Sequence, residues 1–482
     1  MKILICGATG YVGSRLTKKL LDEGHQIRCL ARNPDSLNER FNSQKLEVIH
    51  GNLLNQETLH HIFDDIEVAY YLVHSLTAKD NFQDKEALCA KNFINEAKKS
   101  DVKRIIYLGG LGTNSEDLSP HLESRKEVGQ ILKSSQIPCI EIQASIIIGS
   151  GSLSFEIMKH LVERLPLMIT PKWVSSMAQP IWIDDVLRYL TESILIKLSG
   201  SCVIQIGGPD QITYKELMSI YAKILGKKRL MISVPVLTPN LSSKWLGLVT
   251  PVYARVGKKL IESLKSDSII ENNDHINQFS VTPIGIRESL IKTTSDLNQN
   301  VQPESRWYDS ISSGISEFNL NDQTKYKHKY KDVRKIAVPV DPITAFNPIN
   351  QIGGKNGWYF ANLLWNIRGW IDLIVGGVGL RRRNRRNLEK FIVGDTLDWW
   401  RISESKENQY VRLEAEMKLP GKAWLEFRVW SDSKGSILQQ TAGFDTNSIF
   451  GQIYWVGLLP LHKVIFQGMI NQIAKKIYNP NL

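Results

Sequence analysis

The chain has 482 residues, 42% hydrophobic and 23% charged, which excludes a collagen-like, mostly disordered or disulfide-scaffold protein and exceeds the roughly 250–300 residues of a single core. Its net charge of +11 is uneven: from Lys331 onward 21 Lys+Arg face 13 Asp+Glu, a surplus of 8, which leaves 3 for the first 330 residues. Eight of the twelve tryptophans lie after residue 331 and all five cysteines before it, so two differently composed modules are joined.

In chain order, an apolar strand at Lys2–Cys6 comes first. Only Ile3 to Cys6 separate Lys2 from a glycine-rich turn, too little for an export signal. Further strands are expected at Gln26–Ala31, Lys45–His50, Val68–Val73, Arg104–Leu108 and Cys139–Ser145. Helical patterns lie between them, as at Val12–Glu23, where Val12, Leu16, Leu20 and Leu21 share a face. Apolar strands each followed by a helix predict a parallel sheet covered on both sides. Right-handed crossovers make that a doubly wound α/β core over residues 1–150. Residues 151–300 read as an extension of the same unit, with a strand in Gly200–Gly208 and a helix over Thr213–Leu225. The polar stretch 301–336 reads as a linker.

Residues 337–482 read as an α+β domain with antiparallel strands at Gln409–Leu419, Ala423–Ser431 and Ser436–Phe444 and a last amphipathic helix at Leu461–Ile477. No uninterrupted apolar run reaches the roughly 18 residues of a membrane-spanning helix, and Ile449–Leu461 is broken by Gly451, Gln452 and Pro460. Cys6, Cys29, Cys89, Cys139 and Cys202 are scattered and odd in number. They form no C-x-x-C metal pattern and point to reduced thiols in a cytoplasmic protein.

The sequence Gly7-Ala8-Thr9-Gly10-Tyr11-Val12-Gly13 follows a strand and opens a helix. Gly7 permits the tight turn, Gly10 lets backbone approach a pyrophosphate, and Gly13 allows helix–strand packing; the helix N-terminus supplies N–H groups to phosphates. The G-x-x-G-x-x-G spacing resembles the atypical, NmrA-like short-chain dehydrogenase/reductases, over about residues 1–300. The resemblance implies an NAD(P)-binding Rossmann domain, with Thr9, Tyr11 and Val12 beside the cofactor. It also implies that the residue ending the second strand selects the cofactor. Arg32 stands there, with Arg28 nearby: either its guanidinium pairs with the 2′-phosphate of NADP(H), which favours NADP(H) over NAD(H), or it is a solvated loop charge. By the same resemblance Asn52 and Leu53 contact adenine, and Val73, Gly109 and Gly110 lie along the cofactor. His74 faces the nicotinamide or caps a loop. Asp184 and Asp185 are structural, capping the following helix.

The family's Tyr-x-x-x-Lys pair is replaced: on spacing, His121 stands for the tyrosine and Arg125 for the lysine, and glycine stands where a serine is usual. His121 could move protons near neutrality, and Arg125 could bond a ribose. Three readings follow: a reductase of a lipophilic carbonyl, enone or quinone; a dinucleotide-binding redox sensor or assembly factor without turnover; or an epimerase or dehydratase of the extended type, which normally needs the missing tyrosine.

The module after residue 337 resembles the START/polyketide-cyclase helix-grip fold, which implies an apolar-ligand cavity. Trp365, Trp370, Trp399, Trp400, Trp424, Trp430 and Trp455 could line it or could be plain core. Arg381–Arg386, five arginines in six residues, read as a solvated turn, as a peripheral contact with an anionic membrane, or, least of all, as a nucleic-acid contact, since no recognised module accompanies them.

Overall fold

In a strand, successive side chains face opposite sides, and Lys2–Cys6 is apolar in both directions. The computed structural model describes residues 1–74, 81–112, 119–197, 200–234, 261–272, 274–298, 306, 326–353, 356–375, 377–379 and 390–478. They form two compact units, Met1–Ser313 and Gly314–Leu482.

In the first unit, strands β1 (Lys2–Cys6), β2 (Gln26–Ala31), β3 (Leu46–His50), β4 (Val68–Tyr71), β5 (Arg104–Gly110), β6 (Cys139–Ala144) and β7 (Cys202–Ile206) make one sheet in the order β7-β6-β5-β4-β1-β2-β3. Every pairing is parallel. Ile3 and Ile5 join one core with Leu16 and Leu20 of α1 (Tyr11–Asp22). Leu4 and Cys6 join the other, with Phe93 of α3 (Phe82–Ala97) and Val128 of α4 (Pro120–Lys133); α2 is Asp35–Phe41. The strand order reverses between β1 and β4, and in such sheets a crevice opens there at the carboxyl ends of the strands. The stretch beyond residue 150 supplies β7 to this sheet, and packs α5 (Leu153–Arg164) and α7 (Tyr214–Ile224) in a third core around Phe155 and Tyr221.

The cysteines are free; Cys6, Cys29, Cys89 and Cys139 are buried. Burial pushes the Cys29 and Cys89 thiols up to about 12, so they stay protonated and weakly reactive. Asp185 does not cap its own helix, α6 (Ile183–Glu192): the N-cap is Trp182, with no side-chain bond. Asp185 is buried and accepts the Ile284 N–H at 3.0 Å, fastening the segment that leads into α8 (Ile286–Asn298).

The second unit is a six-stranded antiparallel sheet of β8 (His328–Val338), β9 (Thr396–Leu397), β10 (Trp400–Lys406), β11 (Tyr410–Ala415), β12 (Lys422–Asp432) and β13 (Gly435–Thr446), ordered β8-β13-β12-β11-β10-β9. Three further helices are α9 (Pro342–Asn350), α10 (Asn362–Ile374) and α11 (Ile449–Tyr478). The boundary differs from the expected linker at 301–336. Residues 328–338 are an edge strand paired along its length with β13, and its alternating Lys and Arg are what made it read as linker. The last helix also differs: it starts at Ile449, not Leu461, and runs through Pro460. Trp455 stacks on Phe444 and Tyr330, so tertiary packing holds a segment that glycine and proline argued against. At 30 residues it is long and apolar enough to cross a membrane by length and composition, which the broken run at Ile449–Leu461 concealed.

Candidate functional site

The β1–α1 turn is shaped by close backbone contact. Gly7 has φ +100°, and a Cβ there would sit 2.6 Å from the Leu72 carbonyl oxygen. A Cβ on Gly13 would lie 2.2 Å from the Gly7 carbonyl oxygen. Gly10 is the N-cap of α1, with no side-chain cap and no acid in the first turn. The positive end of the helix dipole therefore meets no acidic side chain of its own first turn and favours an anion there. This turn borders a cleft of about 540 Å³. Thr9, Tyr11 and Val12 line it beside the three glycines.

Arg32 is exposed at the end of β2 and lines the same cleft. Arg28 does not: it is 5% exposed, paired with Glu47 at 2.9 Å, and bonded to the carbonyls of His61, Ile62 and Asp64. Its guanidinium ties β2 to the neighbouring loop. Asn52 and Leu53 border the cleft; the Asn52 side-chain oxygen accepts the Leu54 N–H at 3.1 Å, and buried Asn92 donates to the Leu53 carbonyl at 2.8 Å. Val73, Gly109 and Gly110 complete the wall from the ends of β4 and β5.

At the far end, α4 starts at an Ser119 cap with Pro120 in its first turn, which projects His121 into the cleft. His121 Nε2 lies 3.0 Å from His74 Nε2, and His74 Nδ1 lies 2.9 Å from Glu86 Oε1. Ser124 donates to the other Glu86 oxygen at 2.5 Å. On its outer side His121 Nδ1 is 3.1 Å from Ser263 Oγ, which is 2.8 Å from Ser119 Oγ. Because one ring nitrogen must donate and the other accept, the two imidazoles share an Nε2–H, and a further proton can be held along the chain. Burial pushes the Glu86 carboxyl up, but the His74 hydrogen bond and charge, the Arg125 guanidinium and the Ser124 hydroxyl together hold it well below the usual carboxylate range. It is therefore the fixed negative end of the chain.

Arg125 lines the cleft but sits differently from the expected ribose ligand. It is 8% exposed and donates to the carbonyls of Val73, at 3.1 Å, and Leu108. Two of its five donors thus bracket the ends of β4 and β5. The nearby Tyr107 phenol donates to the Arg125 carbonyl, and burial raises its pKa well above the usual value, so it does not stand in for the absent tyrosine.

Residues 7–143 match the family described as NAD(P)H-binding. That stretch is an NAD(P)-binding domain. Residues 326–469 match a protein family of unknown function, DUF2867. A photosystem II assembly factor, Ycf39 of Trieres chinensis, is 19% identical over 334 residues, 68% of this chain and 99% of its own. A ceramide reductase of Caulobacter vibrioides is 24% identical over 267 residues, 53% of this chain and 82% of its own. Among solved structures, MoeE5 in complex with UDP-glucose and NAD covers 62% of this chain and all of its own length, with 14% identity and a TM-score of 0.48.

Of the cofactor-binding and catalytic residues expected from the sequence, all but the neighbouring Arg28 thus border this cleft, and two residues of the site were missed. Glu86 had a signal: with Ala90, Phe93 and Ala97 it occupies the buried stripe of α3, where a carboxylate needs a partner. Ser263 had none. In the second unit the seven tryptophans do not surround one space. Half-buried Trp365 lies between the buried Trp358 and Trp399, Trp370 is exposed, and Trp424 sits beneath Arg412 on the polar face of the sheet. Arg381–Arg386 lie outside the described residues.

Proposed function

We propose that this protein is an NADP(H)-dependent reductase of a lipophilic carbonyl, enone or quinone, in which His121 holds the transferred proton. The chain Glu86–His74–His121, ending in the cleft, is the observation that carries the reading. Bound NADPH would supply hydride to the acceptor carbon. The residues fit that cofactor: a glycine turn admits the pyrophosphate, the start of α1 faces it, and Arg32 stands where a 2′-phosphate would lie. The proton leaves from His121 Nδ1, on the Ser263 side, for the acceptor oxygen and is replaced at Nε2 from His74. Glu86 stabilises the His74 cation that this relay needs, as a carboxylate does for an imidazolium. Similarity to a ceramide reductase supports a lipid-like substrate. The strand order of the second unit, a meander closed by its first strand and followed by a long helix, supports the helix-grip reading.

The test is NADPH consumption across a panel of lipophilic carbonyls, enones and quinones. His121→Ala should lower kcat by about 10²–10⁴ with NADPH affinity unchanged; an unaltered rate would sink the role of His121. A second reading, a dinucleotide sensor or assembly factor, is favoured by the Arg125 guanidinium, which is held by backbone carbonyls, and by the similarity to Ycf39. It predicts NADPH binding without turnover on any acceptor.

A further inference from the structure

An exposed apolar face marks a binding surface when it is contiguous and unusually large, and two helices of the second unit carry one each. On α10, Leu363, Ile367, Trp370 and Ile374 recur at the three-to-four spacing of one helical face; Trp370 is 68% and Ile374 78% exposed. On the first half of α11, Ile449, Ile453 and Val456 do the same, and Phe450 beside them is 78% exposed. The two helices meet through Trp365 and Phe466, 6.4 Å between ring centroids.

The charge on these helices has one sign. Their one carboxylate, Asp372, is fully buried and accepts the N–H groups of Gly379 and Lys418. The basic side chains near these faces are Arg368 on α10 and Lys463 on α11, and Lys475 and Lys476 close the far end of α11. In sequence, five arginines at 381–386 follow α10 after a few residues. Exposed apolar residues with a tryptophan, flanked by cations and no exposed carboxylate, complement an anionic lipid surface.

We infer that the second unit docks on an anionic membrane through the exposed faces of α10 and the first half of α11. The helices lie on the bilayer and do not span it. The second half of α11 buries Ile465, Met469, Ile470 and Ile473 in the domain, and insertion of the whole helix would strip those side chains from the core. This inference stands apart from the proposed reductase activity, since it uses no residue of the cleft.

The test is co-sedimentation of the full chain with phosphatidylcholine vesicles, with and without phosphatidylglycerol. Binding is expected with phosphatidylglycerol and should weaken as salt is raised. Trp370→Glu with Ile374→Glu, and separately Phe450→Glu with Ile453→Glu, should each lower binding by about tenfold or more, with melting temperature and NADPH binding unchanged. Three results would overturn the inference: no sedimentation with either vesicle, variants that bind like the parent, or a dimer that these variants break without any vesicle binding.

Discussion

Where the cleft meets the β1–α1 turn it is made of backbone, and where it meets α3 and α4 it is made of half-buried histidines backed by the buried Glu86. At the turn, Gly7 and Gly13 leave no room for a Cβ, so function depends on what the residues lack. At the other end, Glu86, His74 and His121 each depend on a partner far along the chain: 12 residues separate His74 from Glu86 and 47 separate it from His121. The first kind of site tolerates changes among the side chains around it and fails at single glycines. The second fails by losing a partner, and how it fails depends on pH.

The sharpest way to break the backbone end is Gly13→Ala. Its methyl would meet rigid backbone at 2.2 Å, and overpacking of this kind costs about 3 kcal/mol. Thermal melting should show that loss, and calorimetry should show NADPH binding abolished; a variant that binds normally would break the comparison. At the other end, Glu86→Gln keeps the shape and removes the charge, at a cost of about 2 kcal/mol.

The same variant carries a pH signature. The Glu86 carboxyl is held below its ordinary value of 4.5 in the folded state. Its contribution is therefore full above about pH 4.5 and is lost as the pH falls toward the depressed value. Melting curves of the parent should show this acid limb, and those of Glu86→Gln should show a shallower one.

A smaller effect separates Arg32 from the glycines. A charged hydrogen bond to a phosphate is worth about 1.5–3 kcal/mol, so Arg32→Ala should weaken NADPH binding about tenfold or more and leave NADH binding unchanged. Equal loss of both nucleotides would make Arg32 a general phosphate contact. The smallest effect belongs to the surface of α1. Lys18 and Asp22 pair at 2.8 Å with both side chains exposed, and Asp22→Asn should change stability by less than about 0.5 kcal/mol.

Much of this was legible in the residues alone, for physical reasons. The six strands of the core repeat a continuous apolar pattern that only a doubly covered parallel sheet accommodates, and the glycine turn is read locally because its constraint is local. The glycines were legible from their own turn, and Arg32, Asn52 and Val73 from what the family resemblance implies. Arg28 and Arg32 could not be told apart by sequence. They are both arginines of one strand and its end, and burial against Glu47 and three carbonyls separates them.

By itself, then, the sequence determined the layered sheet, the phosphate-facing turn and the division into two differently charged modules, because each depends on periodicity or on the absence of a side chain. Only the tertiary structure decided that His74 and His121 share a proton above Glu86, that Arg125 brackets two strand ends, and that α11 continues through Pro460. Those outcomes depend on partners distant in the chain, on which side of an element faces them, and on packing strong enough to override a local preference.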